Sequence, residues 1–148
     1  MGKVVEIGIT KLKGDSISRL NSIEAFKNKG LLYDRNYKDN NDKRKQITLI
    51  EIENIHYYNK ISNTSIEPKN FRRNIITEGI RLNSLLNKEF FIGEVKVKAH
   101  DLCRPCKYLQ EIFKQENFVK EFLLKGGLRC EILKSGKIYI NDKIKYLK

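Results

Sequence analysis

The sequence lacks tryptophan, contains one methionine and two prolines, and has no long run of apolar residues. A transmembrane helix needs about 20 consecutive, mostly apolar residues, so no segment is expected to span a membrane. The first ten residues, MGKVVEIGIT, alternate polar and apolar positions and lack the continuous apolar stretch of an export signal. We therefore expect a cytoplasmic protein without a membrane partner.

Cysteines and acidic residues are also scarce. Three cysteines are an odd number, which without an export signal argues against a disulfide framework and favours reduced thiols. The 18 acidic residues face 30 basic ones, and the formal charge of +12 favours an anionic partner. The basic residues are scattered, and runs such as Lys43-Arg44-Lys45 are short. We therefore expect a small phosphorylated ligand and do not expect nucleic acid to be a partner.

The length of 148 residues suffices for one domain with a buried core, and no repeat or linker divides the chain. We predict a single domain over residues 1–148. Apolar alternation and turn residues predict strands at 3–9, 71–77, 90–99, 129–133, 137–140 and 144–147. Gly93 is predicted to form a bulge within the third of these strands, and Ser135-Gly136 a hairpin between the fourth and fifth.

Helices are predicted in two regions. Thr48 to Glu51 spell T-x-x-E before an apolar series, the pattern of a capping box, which predicts a helix over residues 49–60. Helical spacing predicts further helix between residues 109 and 123, ended by Gly126-Gly127, and polar residues 34–45 predict a loop. Strands outnumber helices and do not alternate regularly with them. The predicted fold class is therefore mainly β (α+β), a barrel or sandwich with a few peripheral helices.

The stretch HDLCRPCKYL, residues 100–109, contains two cysteines three positions apart. A C-x-P-C turn between a strand and a helix is typical of thioredoxin-like redox sites, in which the first thiol has a lowered pKa. Such a site also needs a later proline beside the disulfide, and here no proline follows Pro105. The missing proline argues against a redox pair.

Three other interpretations of the cysteines remain open. His100, Cys103, Cys106 and Cys130 form a Cys₃His set for a structural zinc ion, although Cys130 stands alone in a predicted strand. The cysteines can also be ordinary turn and core residues. In the third interpretation, a single thiolate binds a soft metal that brings most of its ligands with it.

Four segments occur in an order that resembles the MOSC domain family, which is named after the C-terminal part of molybdenum cofactor sulfurases. The segments are RKQITLIEIENI (44–55), NFRRNIITEGIRLNSLLNKEFFIGEVKVK (70–98), CRPC (103–106) and GGLRCEILKSGKIYINDKI (126–144). The resemblance extends over nearly the whole chain. It implies a MOSC-like, β-barrel-like and largely antiparallel fold with peripheral helices.

The resemblance also implies which residues form a site for a molybdenum–pterin cofactor. Cys106 matches the cysteine that is expected to bind molybdenum or to carry a persulfide, and Cys103 is the second choice. Arg72 and Asn74 match an R-x-N pair that holds the cofactor's phosphate and pterin. Arg73 lies where relatives often have another residue, so it is not included in the predicted site.

A Gly-Asp-Arg-His-like segment of the family is only partly kept in this sequence. Its first three residues are present as Gly30, Asp34 and Arg35, whereas Asn36 replaces the histidine. The resemblance therefore implies that Arg35 meets the anionic part of the cofactor. Any role that this histidine has in the family is absent from this chain.

Two functions follow from the resemblance. One is a molybdenum-dependent reductase of N-hydroxylated compounds, with Cys106 as the catalytic and metal-binding residue. The other is a sulfur carrier with a persulfide on Cys106, or a cofactor-handling protein without catalysis of its own. The sequence shows neither an electron-transfer domain nor a sulfur-generating one, so we expect an electron-transfer or sulfur-donor protein as a partner.

Overall fold

A computed structural model describes residues 2–12, 16–103 and 125–146. The predicted helical region between residues 109 and 123 lies outside the described residues, and so does Cys106. No helix among the described residues is long and apolar enough to cross a membrane.

The described residues form eleven strands and one α-helix. The strands are β1 (Gly2–Ile9), β2 (Ser18–Leu20), β3 (Ser22–Phe26), β4 (Gly30–Leu31), β5 (Ile47–Glu51), β6 (Ile75–Glu78), β7 (Glu89–Ile92), β8 (Val95–Leu102), β9 (Leu128–Lys134), β10 (Gly136–Tyr139) and β11 (Lys143–Lys145). The helix α1 spans Ile52–Ser62, and two short 3₁₀ helices span Pro68–Phe71 and Leu82–Leu85.

Seven strands close into a barrel in the order β1, β6, β5, β9, β8, β7 and β11, and β11 pairs back with β1. β2 extends this sheet beyond β1, while β10, β3 and β4 form a separate three-stranded sheet. β5 and β6 run parallel, and every other pair of these strands is antiparallel. The prediction of a mainly β barrel with peripheral helix is confirmed.

The barrel interior is filled by branched aliphatic side chains at alternate strand positions. On β8, for example, Val95, Val97 and Ala99 are fully buried, while the residues between them are partly exposed. A second core lies between α1 and the outer side of β5 and β6. It is formed by Ile50, Ile52, Ile55, Tyr58, Phe71 and Ile76.

The helix predicted from the T-x-x-E pattern begins later than expected. Thr48 and Leu49 belong to β5, and α1 begins at Ile52 with no side-chain cap bond at its first residue. β5 is buried on both faces, because Leu49 points into the barrel and Ile50 packs beneath α1. Burial on both faces produces a continuous apolar run, which sequence periodicity does not distinguish from a helix. The capping-box prediction is therefore wrong.

Two predicted strand connections are also different in the structure. The predicted strand 90–99 is a hairpin of β7 and β8, because Gly93 adopts a left-handed φ of 58° in a tight turn rather than a bulge. The predicted hairpin around Ser135-Gly136 does not form, since β10 pairs with β3 and not with β9. The other predicted strands are present with shifted ends, and 71–77 is shortened because a 3₁₀ helix occupies its first residue.

Residues 34–45 form no helix or strand, as predicted, yet buried amides anchor the segment to the barrel. Asn41 donates to the carbonyl oxygen of Lys29 at 2.8 Å. Gln46 donates to the carbonyl of Asn41 at 3.2 Å and accepts from the backbone N–H of Ile132 at 2.8 Å. The long polar loop is thus tied to β9 through side-chain hydrogen bonds.

Gly127 lies directly before β9 and against the backbone of β5. A Cβ atom at this position would lie 1.8 Å from the backbone oxygen of Leu49, and its φ of 99° is one that other residues rarely adopt. Both constraints require glycine, because the clash is with backbone that cannot move aside.

We expect Gly127→Ala to lower the free energy of unfolding by more than about 2 kcal/mol, measured by urea denaturation. Gly8→Ala is the control, since a Cβ at Gly8 would crowd the Ile17 side chain, at 2.7 Å, would stay 3.4 Å from the nearest backbone atom, the Ser18 oxygen, and its backbone needs no positive φ. Equal stability losses in the two variants would contradict the proposed backbone constraint.

Candidate functional site

A small cavity of about 110 Å³ lies at one end of the barrel, beside the end of β1 and the starts of β5 and β6. Three residues of the predicted site, Arg35, Arg72 and Asn74, line it together. They come from two chain segments that are separated by β5 and α1. The other lining residues are Thr10, Asp34, Asn36, Thr48 and Arg73.

Asn74 holds together the three strands that meet at this cavity. Its Oδ1 accepts hydrogen bonds from the N–H of Thr48 at 3.0 Å and from the Thr48 hydroxyl at 3.1 Å, and its Nδ2 donates to the carbonyl of Gly8 at 3.1 Å. The backbone N–H of Asn74 donates to the Thr48 hydroxyl in return. Among the described residues, one amide hydrogen of Asn74 has no acceptor and is left for a ligand.

The cavity has one carboxylate, Asp34, and backbone groups occupy both of its oxygens. Oδ1 accepts from the N–H of Thr10 at 3.0 Å and Oδ2 from the N–H of Asn36 at 3.3 Å. The neighbouring N–H of Arg35 donates to the carbonyl of Thr10 at 2.7 Å. These bonds fix the backbone of Arg35 at the cavity, where three arginines and a single carboxylate are found among the described lining residues. The lining is therefore suited to an anion.

Arg72 reaches the cavity through an unusual backbone conformation. It follows the 3₁₀ helix Pro68–Phe71 with a φ of 61°, in the left-handed region. This conformation is uncommon for a residue other than glycine and is found at functional sites more often than elsewhere.

A family model described as the MOSC domain matches residues 34–145 of this chain. The chain belongs to the MOSC domain family. The match includes every predicted site residue, and it confirms the family that the ordered sequence motifs resemble.

Several solved structures share the fold of this chain. The YuaD protein from Bacillus subtilis has a TM-score of 0.81 at 17% sequence identity, with 97% of this chain and 94% of that chain covered. YiiM from Geobacillus stearothermophilus has a TM-score of 0.81 at 15% identity, with 100% and 76% covered. YiiM from Escherichia coli has a TM-score of 0.73 at 16% identity, with 99% and 70% covered. No curated protein matches this sequence. At these identities the likeness shows the MOSC fold alone.

Arg73, which was not included in the predicted site, connects this MOSC domain's cavity to the cysteine motif. Its Nε donates to the carbonyl of Gly126 at 2.9 Å and its Nη1 donates to the carbonyl of Phe71 at 3.3 Å. Its positive charge lies close enough to Cys103 to favour the thiolate. Arg73 also lines the cavity with Arg72. Family comparison of motifs did not indicate this role, because it depends on two residues that come close only in the folded barrel.

Cys103 lies at the end of β8, where only 4% of its surface is exposed. Its N–H donates to the carbonyl of Gly127 at 2.7 Å, and this bond joins the residue after β8 to the residue before β9. Burial raises the pKa of the Cys103 thiol, and the positive charges of Arg73 and Arg129 offset part of this rise. Arg129 is itself paired with Asp101, so Arg73 is the cation with no carboxylate partner among the described residues.

The zinc interpretation does not agree with the strand geometry. His100 points outward on β8 and contacts Glu131 at 2.8 Å, whereas Cys130 is fully buried inside the barrel on β9. These two side chains are on opposite faces of the same sheet, so they cannot share one ion. The described residues contain no group of three or more His, Cys, Asp or Glu side chains placed to hold a metal.

We predict that Arg73→Met raises the pKa of Cys103, because a cation that favours the thiolate is removed. The rate of Cys103 alkylation by iodoacetamide, followed by peptide mass between pH 6 and 10, will then rise at higher pH than in the wild type. Arg73→Lys should return the profile toward the wild-type one. Arg35→Met is the control, since Arg35 does not contact Cys103. Identical profiles for Arg73→Met and Arg35→Met would exclude the proposed interaction.

We also predict that Asn74→Ala lowers the free energy of unfolding by about 2 kcal/mol, because it leaves two partly buried donors of β5, the Thr48 N–H and hydroxyl, without an acceptor. In a double-mutant cycle, Thr48→Val and Asn74→Ala should couple by about 0.5–3 kcal/mol in urea denaturation. Asn36→Ala is the control, because the Asn36 side chain bonds no described residue. Additive effects of Thr48→Val and Asn74→Ala would show that the bridge contributes nothing.

Proposed function

We propose that this MOSC domain binds a molybdenum–pterin cofactor, with the cofactor's phosphate in the cavity of Arg35, Arg72 and Asn74. The supporting observation is that three arginines, Arg35, Arg72 and Arg73, line a small cavity in which Asp34 is the one described carboxylate and is hydrogen-bonded through both oxygens. The described lining therefore carries a net positive charge, which favours an anion.

The donor set and the size of the cavity both fit this group. Arg35 and Arg72 offer planar forks of N–H donors to phosphate oxygens, and Asn74 retains one amide hydrogen for an acceptor on the pterin. A volume of about 110 Å³ has room for a phosphate-sized anion but not for a whole pterin cofactor. The cavity therefore fits the phosphate end, and the larger remainder would lie outside it.

The proposed metal ligand is Cys106, which lies outside the described residues. A thiolate is a soft ligand that suits the one molybdenum position left by the cofactor's own sulfur and oxygen ligands. When bound, the cofactor would supply oxygen-transfer and redox chemistry for the reduction of N-hydroxylated compounds. An electron-transfer protein would then be the partner.

Within the described residues, the role of the chain is to hold and position. Arg35 and Arg72 bind the anion, Asn74 keeps the ends of β1, β5 and β6 at the cavity, and Arg73 provides positive charge near Cys103. Cys103, three residues before Cys106, is then a supporting neighbour whose thiol stays largely protonated, because burial raises its pKa.

The test is to purify the protein from molybdenum-replete cells and measure molybdenum, pterin and thiol-bound sulfur. We expect both molybdenum and pterin in the wild type, a loss of molybdenum in Cys106→Ala, and a pterin content at least about tenfold lower in Arg72→Asn, a variant that tolerates the left-handed backbone. Arg81→Asn, at the other end of β6, is the control and should retain both.

Molybdenum and pterin retained at wild-type levels in Arg72→Asn and Cys106→Ala would overturn the proposal. Thiol-bound sulfur on Cys106 without metal or pterin in any preparation would instead support a sulfur carrier. Zinc that is retained in Cys106→Ser but lost in Cys130→Ser would exclude the cofactor function.

A further inference from the structure

On the outer face of the barrel, the sheet register aligns four side chains across four neighbouring strands. Lys145 of β11 lies opposite Phe91 of β7, Phe91 lies opposite Lys96 of β8, and Lys96 lies opposite Lys134 of β9. Directly opposite residues share one face of a sheet, with Cβ atoms about 4.5–5.5 Å apart. We refer to these four residues as the lysine row.

The lysine row faces away from the core. The residues that flank it along the strands, including Ile144, Ile92 and Val97, are buried inside the barrel, so the residues between them point outward. On β9 the register shifts by one residue near Leu133, and this irregularity is what brings Lys134 opposite Lys96. Irregularities of this kind redirect side chains within a sheet.

Positive charge in the lysine row is largely uncompensated. No carboxylate of the described residues lies within ion-pair distance of Lys134 or Lys145, and Lys96 is the one member with such a partner, Glu89 at 3.0 Å. Lys143, exposed two residues before Lys145, adds a further unpaired charge. The next row along the sheet is different, because there Lys98 lies between two glutamates.

The nearby carboxylates at the turns are already bound to backbone groups. Glu94 accepts from the N–H of Lys137 at 2.8 Å, and Asp142 accepts from the N–H of Tyr139 at 2.8 Å. These bonds hold both carboxylates in the turns beside β10. Both stay charged, but neither lies within ion-pair distance of a lysine of the row, so Lys134 and Lys145 remain without a carboxylate partner among the described residues.

Aromatic rings accompany the lysines on this side of the molecule. The Lys96 ammonium lies 6.0 Å from the centre of the Phe91 ring, inside the row. At its margin, Lys88 lies 5.0 Å from the ring centre of Tyr146, which is 39% exposed. Partly exposed rings beside ammonium groups form platforms on which nucleobases stack while the cations meet the phosphates.

We propose that the lysine row is a binding surface for single-stranded nucleic acid. The surface combines the two features that such ligands require, a line of cations of which Lys134 and Lys145 have no described carboxylate partner, and an aromatic ring within it. The sequence argued against nucleic acid because its lysines are scattered, but the sheet register brings together lysines from three strands.

This surface is separate from the cofactor cavity. Lys96 and Cys103 lie toward opposite ends of β8, and seven residues of strand span roughly 23 Å. Binding at the lysine row therefore does not depend on the proposed cofactor function, and substitutions in the row should leave molybdenum and pterin contents unchanged.

The test is fluorescence anisotropy of a labelled 12-nucleotide oligo-dT with the full chain, between 25 and 200 mM salt. Three lysine–phosphate contacts predict a slope of log K against log salt of about −2, since each contact on a single strand contributes about −0.7. In Lys134→Ala/Lys145→Ala we expect the slope to weaken by about 1.4 and the affinity at 50 mM salt to fall at least about tenfold.

Phe91→Leu tests the stacking contribution, because it keeps an apolar side chain of similar burial and removes the ring. We expect the affinity to fall about fivefold or more with the slope unchanged. Lys43→Ala/Lys60→Ala is the control, since it removes the same charge from exposed lysines elsewhere and should leave the slope within about 0.3 of the wild type.

Three results would overturn the proposal. The first is no binding at 25 mM salt. The second is an equal loss of affinity in the control variant, which would mean that net charge alone attracts the oligonucleotide. The third is full competition by poly-glutamate together with no effect of Phe91→Leu, which would identify the row as a site for an acidic protein.

Discussion

The parallel pairing of β5 with β6 is the constraint on which the site depends. It is the one parallel pair among the described strands, and α1 provides the crossover between them. Because the two strands start at the same end of the barrel, Thr48 and Asn74 lie side by side there, and their reciprocal hydrogen bonds join this pair to Gly8 of β1. The cavity lies where these three strand ends meet.

Arg73 extends this arrangement to the cysteine motif. Its guanidinium donates to the carbonyl of Gly126 just before β9, and its positive charge acts on Cys103 just after β8. The same residue lines the cavity, so the candidate anion site and these two residues share one side chain. A rearrangement at either place is therefore expected to affect the other.

Much of the barrel could be predicted from the sequence, because a half-buried antiparallel strand such as β8 alternates buried and exposed residues. The strand β5 could not be predicted in this way, because its burial on both faces removes the alternation of buried and exposed residues. The left-handed turn at Gly93 and the pairing of β10 with β3 also escaped prediction, as both depend on partners that periodicity does not specify. Within the site, Arg35, Arg72 and Asn74 were found through family motifs. Arg73 was missed, because its partners are Gly126 and Cys103, distant in sequence.

The sequence by itself determined the β-rich class, the MOSC family and the residue types suited to an anion, because composition, alternation and ordered motifs are local properties of the chain. Only the tertiary structure decided which of those residues meet. Strand register and barrel closure bring residues 35, 72 and 74 to one cavity, place His100 and Cys130 on opposite faces, and align lysines from β8, β9 and β11. The physical reason is that hydrogen-bonded pairing between distant strands, and not local preference, sets these neighbours.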